Sequence, residues 1–243
     1  MSSNWQSHPP YSNTKKDDDL IKYHASCYCG LIQYVIYDEF PVDSTYCHCH
    51  GCQILQGAPY QWACIFPKTS LYFTSGLDSL EFYNNSENTQ NHILPCKVRC
   101  KQCSSPLADE GRRMWLAFPQ TFKEFRTSET IREKLKPSCH IFYGQRTILE
   151  FYNNSENTQN HILPCKVRCK QCSSPLADEG RPMWLAFPQT CKEFRTSETI
   201  REKLKPSCHI FYGQRTILGN FLKDDGLPKF EAHKNKSKQI LDE

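Results

Sequence analysis

No apolar run in this chain approaches the ~20 residues that a membrane-spanning helix needs, so a membrane partner is not expected. The N-terminus lacks an apolar segment of the kind a secretory signal carries: Met1 to Asp19 is polar and closes on Asp17, Asp18 and Asp19. A cytoplasmic location follows as the expectation, with the nucleus also open. Charge of one sign is scarce as well. The 30 Lys and Arg against 26 Asp and Glu leave only +4. Much of that comes from a repeated segment, so nucleic acid is not an expected partner.

Cysteine is abundant. There are 15 in 243 residues, and without export they read as metal ligands and free thiols rather than a disulfide framework. Three fall within six residues, in Cys47-His48-Cys49-His50-Gly51-Cys52. A tight turn can aim three thiolates at one zinc ion, and three protein ligands leave a position for water or substrate. The spacing also permits a closed site with a fourth ligand, which His48 or His50 could supply.

Two further pairs lie elsewhere, Cys27-Tyr28-Cys29-Gly30 and Cys100-Lys101-Gln102-Cys103. Residues two apart in an extended chain share a face, and a Cys-x-x-Cys turn presents two thiolates together. The two pairs make a closed four-thiolate structural site. The expected cofactor is therefore Zn2+ at two sites, one structural and one with an open position. Cys64 and Cys96 sit among strand residues and read as small buried hydrophobes. His140 stands in an apolar strand, where a hydrogen-bonded core histidine is the default.

The segment Glu81 to Leu149 reappears as Glu150 to Leu218, 69 residues on, with Arg113 replaced by Pro182 and Phe122 by Cys191. Two long, nearly identical copies are not a solenoid; they read as a tandem duplication. The second copy carries ten Lys and Arg, seven Asp and Glu, and five cysteines. Removing 69 of 243 residues leaves 174, the size of one domain.

The expected organisation is a disordered leader over 1–20, a zinc domain over 21–149, the duplicated half over 150–218, and a closing segment with a charged tail over 219–243. Strands are expected at Ile21 to Ser26, Leu31 to Tyr37, Tyr60 to Phe66, Leu71 to Phe73, Leu80 to Tyr83, Met114 to Phe118 and from Cys139 onward. One helical turn is expected after Cys52, ending at Gly57. A short helix is expected over Thr127 to Leu135, capped by Thr127 or Ser128. Pro41 and Asp43 read as a turn. Many short strands and little helix indicate a mainly β, antiparallel fold.

The order Cys27-x-Cys29-Gly30, Cys47-x-Cys49-x-x-Cys52 with Gly57-Ala-Pro, Cys100-x-x-Cys103 and His140-Ile resembles the glutathione-dependent formaldehyde-activating enzyme family, which includes centromere protein V. The resemblance covers about Ile21 to Ile148 and resumes at Asp225 to Phe230. It implies a zinc-pinned β-tent, a structural zinc on Cys27, Cys29, Cys100 and Cys103, and a catalytic zinc on Cys47, Cys49 and Cys52. It implies a carbon–sulfur lyase resembling S-(hydroxymethyl)glutathione synthase, acting on glutathione or another small thiol adduct. The alternative is a non-catalytic zinc-stabilised module of the centromere protein V type. Lys97, Arg99 or Lys101 could attract glutathione carboxylates, or form a solvated basic edge. Ser104 departs from the family, which has glycine there. The shorter connection favours Cys100 and Cys103 over Cys169 and Cys172. The orphaned second copy invites self-association.

Overall fold

In a computed structural model, the chain is described over residues 4–142, 165–169, 172, 174–179, 183–207, 229–230 and 239–240. It divides into two compact units. The first holds strands β1 (Tyr23–Ser26), β2 (Gln33–Ile36), β3 (Asp43–Cys47), β4 (Gln61–Pro67), β5 (Leu71–Ser75), β6 (Leu80–Tyr83), β7 (Cys96–Cys100), β8 (Pro106–Glu110), β9 (Met114–Ala117) and β10 (Cys139–Ile141). They form a three-stranded sheet, β1-β2-β5, and a seven-stranded sheet, β10-β3-β4-β9-β8-β7-β6. The fold is mainly β, as expected. All but one of these pairings are antiparallel; β10 runs parallel to β3.

The core is aromatic. Tyr23 and Tyr34 from the small sheet meet Phe66, Trp115 and Phe122. Tyr23 stacks on Phe122 at 5.3 Å, and Trp115 sets its edge against Tyr34 at 5.8 Å. Burying a side chain of this size contributes about 2–3 kcal/mol. Two short helices follow β9, the first of them packed on β1 and on the second. Helix α2 (Lys123–Thr127) buries Phe125. Helix α3 (Glu129–Lys134) starts at Ser128, whose hydroxyl accepts the Ile131 N–H, so the expected cap holds.

The leader departs from the expectation of disorder. Tyr11 is buried, packs edge-on to Trp5 and Phe82, and donates to Glu110 Oε2 at 2.6 Å. Asn13 donates to the Lys68 and Leu71 carbonyls at 2.7 and 2.6 Å. Two aromatic side chains outweigh the polar composition around them.

Strands β3, β7 and β8 are not among those expected, and β3 and β8 are the instructive ones. Asp43-Ser-Thr-Tyr-Cys47 looks polar, yet Ser44 and Thr45 lie buried between β10 and β4. In β8, Glu110 is almost wholly buried. Its carboxylate accepts from Tyr11, from His92 Nε2 at 2.8 Å and from Lys68.

The second unit contains α1 (His50–Gln56) and the described part of the second copy other than Cys172. That part comprises β11 (Cys165–Arg168), β12 (Pro175–Glu179), β13 (Trp184–Ala186), α4 (Lys192–Thr196) and α5 (Glu198–Lys203). A small pair, β14 (Lys229–Phe230) and β15 (Gln239–Ile240), follows. The rest of the expected closing segment, and residues 150–164, lie outside the described residues. Helix α1 ends at Gly57 in the left-handed region, φ +61°; a Cβ there would come within 2.5 Å of Pro175. No described helix is long and apolar enough to cross a membrane.

Burial raises the Glu110 carboxyl, but hydrogen bonds from His92, Lys68 and Tyr11 outweigh it and hold the group below its ordinary 4.5. The stabilisation is present above that value and is lost as pH falls through the depressed one. Glu110→Ala leaves Lys68 buried without its partner and should cost about 3–5 kcal/mol, read as a lower urea midpoint. The pH-dependent loss of stability below pH 4.5 should shrink in the variant.

Candidate metal centre

Two turns bring four sulfurs together. The first follows β1. The Cys27 N–H donates to the Ile32 carbonyl at 3.1 Å, and the Gly30 N–H to the Cys27 carbonyl at 3.1 Å. Gly30 takes φ +76°, which a glycine adopts without strain. The second turn follows β7. The Ser104 N–H donates to the Cys100 carbonyl at 2.7 Å, and the Cys100 N–H to the Ser105 carbonyl at 3.0 Å. The turns meet where the Tyr28 N–H donates to Ser105 Oγ at 3.0 Å.

Cys27, Cys29, Cys100 and Cys103 place their sulfurs within 4.8 Å of one another. Cys27 and Cys29 are 3.5 Å apart, and Cys29 and Cys100 3.8 Å. Tetrahedral zinc with bonds of about 2.3 Å sets its sulfurs about 3.8 Å apart. The spacing fits such an ion and is far too long for a disulfide. Burial pushes the Cys27 and Cys100 thiols up. It acts on Cys103 too, but hydrogen bonds from Ser105 and the Cys29 backbone outweigh it and bring that thiol down to about 6. Among the described residues, Cys169 and Cys172 belong to no cluster of three or more potential ligands.

The second cluster is built by six consecutive residues. Cys47 ends β3, flanked by Gln61 on β4 and Ile141 on β10. Cys49 caps α1, its sulfur accepting the Cys52 N–H at 3.3 Å. Cys52 lies in the first turn of that helix, and Gln53 donates to the His48 carbonyl at 2.5 Å. The three sulfurs lie within 4.8 Å of one another, and the cluster contains neither His48 nor His50. Cys47 and Cys52 are buried, whereas Cys49 is half-exposed.

The remaining candidates fall elsewhere. Cys64 is buried, and burial pushes its thiol up to about 12, as befits a small hydrophobe. Cys96 is buried too, but it joins His92 and Glu110 in a third cluster. Nothing in the sequence signals this, because Cys96 and Glu110 become neighbours only through the β7–β8 pairing and His92 reaches the carboxylate by its side chain. Lys68 and Tyr11 already occupy the Glu110 carboxylate, so that cluster is an ion-pair network. His140 is not a core histidine. It is exposed on edge strand β10, with its ring 5.1 Å from Tyr46, because β10 has a neighbour on one side only among the described residues. Lys97 is bound to Asp109 at 2.6 Å and Gln61 at 3.2 Å, and Arg99 to Glu81 at 3.1 Å. Neither forms a solvated edge; Lys101 is exposed.

A β domain with one four-sulfur and one three-sulfur cluster is a metal-competent, thiol-rich protein. The family model described as glutathione-dependent formaldehyde-activating enzyme matches residues 22–145. The chain belongs to that family, whose members form the adduct of formaldehyde with glutathione. No curated protein matches it. Among solved structures, a Rhodobacter sphaeroides protein determined as a structural-genomics target is similar at 14% identity and TM-score 0.35, over 48% of this chain and 98% of that one.

Ser104 stands at φ +55°. Ser104→Gly should relieve strain and stabilise the protein by about 1 kcal/mol, measured as a higher urea midpoint.

Proposed function

We propose that this protein is a zinc-dependent carbon–sulfur lyase of the S-(hydroxymethyl)glutathione synthase type. It would join glutathione, or another small thiol, to formaldehyde. The observation that carries the reading is the convergence of Cys47, Cys49 and Cys52 with one sulfur half-exposed, in a chain that belongs to this family. Cys27, Cys29, Cys100 and Cys103 would hold a structural zinc with no vacancy. Cys47, Cys49 and Cys52 would hold a second ion with one position open.

When bound, zinc keeps a coordinating thiol as thiolate and can polarise a carbonyl oxygen. Three cysteine thiolates against a divalent cation leave a net −1, which weakens carbonyl activation. Holding and orienting the incoming thiol is therefore the main task. Cys47 is fixed by strand pairing on both sides and Cys49 by the Cys52 N–H. Buried Cys47 and Cys52 keep water away, so the thiol approaches beside Cys49. Its sulfur loses a proton to solvent and forms a bond to the formaldehyde carbon. The carbonyl oxygen then takes up a proton from solvent, giving the hydroxymethyl adduct. With Lys97 and Arg99 paired, Lys101 is the exposed cation of the three for a glutathione carboxylate.

The test is adduct formation from glutathione and formaldehyde, followed against the spontaneous rate. Zinc-loaded protein should accelerate it, and Cys52→Ser should remove at least about tenfold of the acceleration while the metal content falls from two ions per chain to one. Cys29→Ser should instead lower stability, since a structural zinc contributes on the order of 10 kcal/mol of folding free energy. Equal rates with and without protein would overturn the reading for this substrate.

A further inference from the structure

The second copy repeats the first in local detail. β11 pairs with β12 as β7 pairs with β8, Cys165 opposite Glu179 as Cys96 is opposite Glu110. The register shifts at Val167/Arg168 as it does at Val98/Arg99. Ser197 caps α5 through the Ile200 N–H just as Ser128 caps α3. The copies differ in what covers them. In the first, β9 is paired with β4, Cys64 opposite Ala117 and Pro67 opposite Met114, and Trp115 is fully buried. In the second, β13 ends a three-stranded sheet with no outer neighbour among the described residues. Met183 is 65% exposed, and Trp184 and Leu185 are each 56% exposed. The chain has one N-terminal half and two copies of the segment with which it pairs in the first unit.

We propose that the N-terminal half, residues 23–75, can be completed by either copy, and that Phe122, replaced by Cys191 in the second, selects the first. The identical strand shows what the exposed β13 edge fits: a β4 strand with the sequence Gln61–Pro67. Of the two differing positions, Arg113 contributes its backbone carbonyl, which accepts the Lys68 N–H at 3.1 Å. Proline keeps that carbonyl. Phe122 is fully buried, stacks on Tyr23 and bridges Ala25. Cysteine at that place would leave much of a phenyl ring's volume empty. The penalty corresponds to a preference for the first copy of about a hundred- to a thousandfold. Reaching Cys169 rather than Cys100 roughly doubles the loop from Cys29, a factor of only about three. Side-chain volume, not chain length, makes the choice.

The full-length, zinc-loaded protein supplies its own test. Trypsin does not cut before Pro182, so Cys103 and Cys172 fall in peptides of different mass, 102–112 and 171–192. Brief alkylation should label Cys172 at least about tenfold faster than Cys103. Hydrogen exchange should be slower at 114–118 than at 183–187; peptides that span these stretches are told apart by Arg113 or Pro182, which every variant keeps. In Phe122→Cys/Cys191→Phe both orders should reverse. In the single variant Cys191→Phe, which keeps the resident fold, the two copies should come within about threefold of each other. Exchange rates that leave the first copy protected as before, in both variants, would overturn the proposal. The exchange readout needs no metal. Reversal there without reversal in alkylation would support the pairing and count against the metal assignment above.

Discussion

Four sulfurs from two distant turns share one small volume, and the first unit is arranged around that meeting. Cys27 and Cys29 follow the opening strand of the three-stranded sheet; Cys100 ends a strand of the seven-stranded sheet and Cys103 lies in the turn after it. Their convergence ties the two sheets at one corner. The aromatic layer of Tyr23, Tyr34, Phe66 and Trp115 fills the space beside it. The core is non-directional and does not set which residue faces which. The sulfur corner sets register but buries little. Burial holds Cys27 and Cys100 back from ionising while Cys103 is drawn toward it, a mixture that a bound cation would resolve by taking all four as thiolates.

The sequence was legible where one residue type carries the signal by itself. Alternating β-branched and aromatic residues marked β1, β2, β4, β5, β6 and β9 to within two residues. Cysteine spacing picked out the two clusters that the structure assembles. Legibility ended where a residue's role depends on a partner far away in the chain. Glu110 looks like a solvent-facing charge until Lys68, His92 and Tyr11 surround it, and β8 was missed with it. Tyr11 sits in a polar leader and gains its place only from Phe82 and Glu110. The apolar neighbours of His140 point to burial, but an edge strand leaves even apolar neighbours exposed.

The repeated segment separates these two kinds of information within one molecule. Nearly the same residues, placed twice, adopt the same strands, the same bulge and the same serine cap. Their burial differs: Trp115 and Leu135 are sealed, whereas Trp184 is 56% and Leu204 47% exposed. Local structure follows from local sequence, and burial follows from the company the segment keeps. A half-domain can thus be folded in detail and still present an apolar edge, which is a liability for association.

The two sulfur clusters differ in the way their construction requires. The four-sulfur site draws on two turns separated in sequence, so any ion it holds cross-links the fold; a vacancy there would serve nothing. The three-sulfur site draws on one six-residue turn, where an ion cross-links almost nothing. Its worth to stability is therefore small. Cys49 remains half-exposed when Cys47 and Cys52 are buried, which a stabilising site gains nothing from. A short-range, incomplete and reachable donor set is a poor staple and a good place to hold a ligand. That contrast within one chain favours chemistry at the second cluster and architecture at the first.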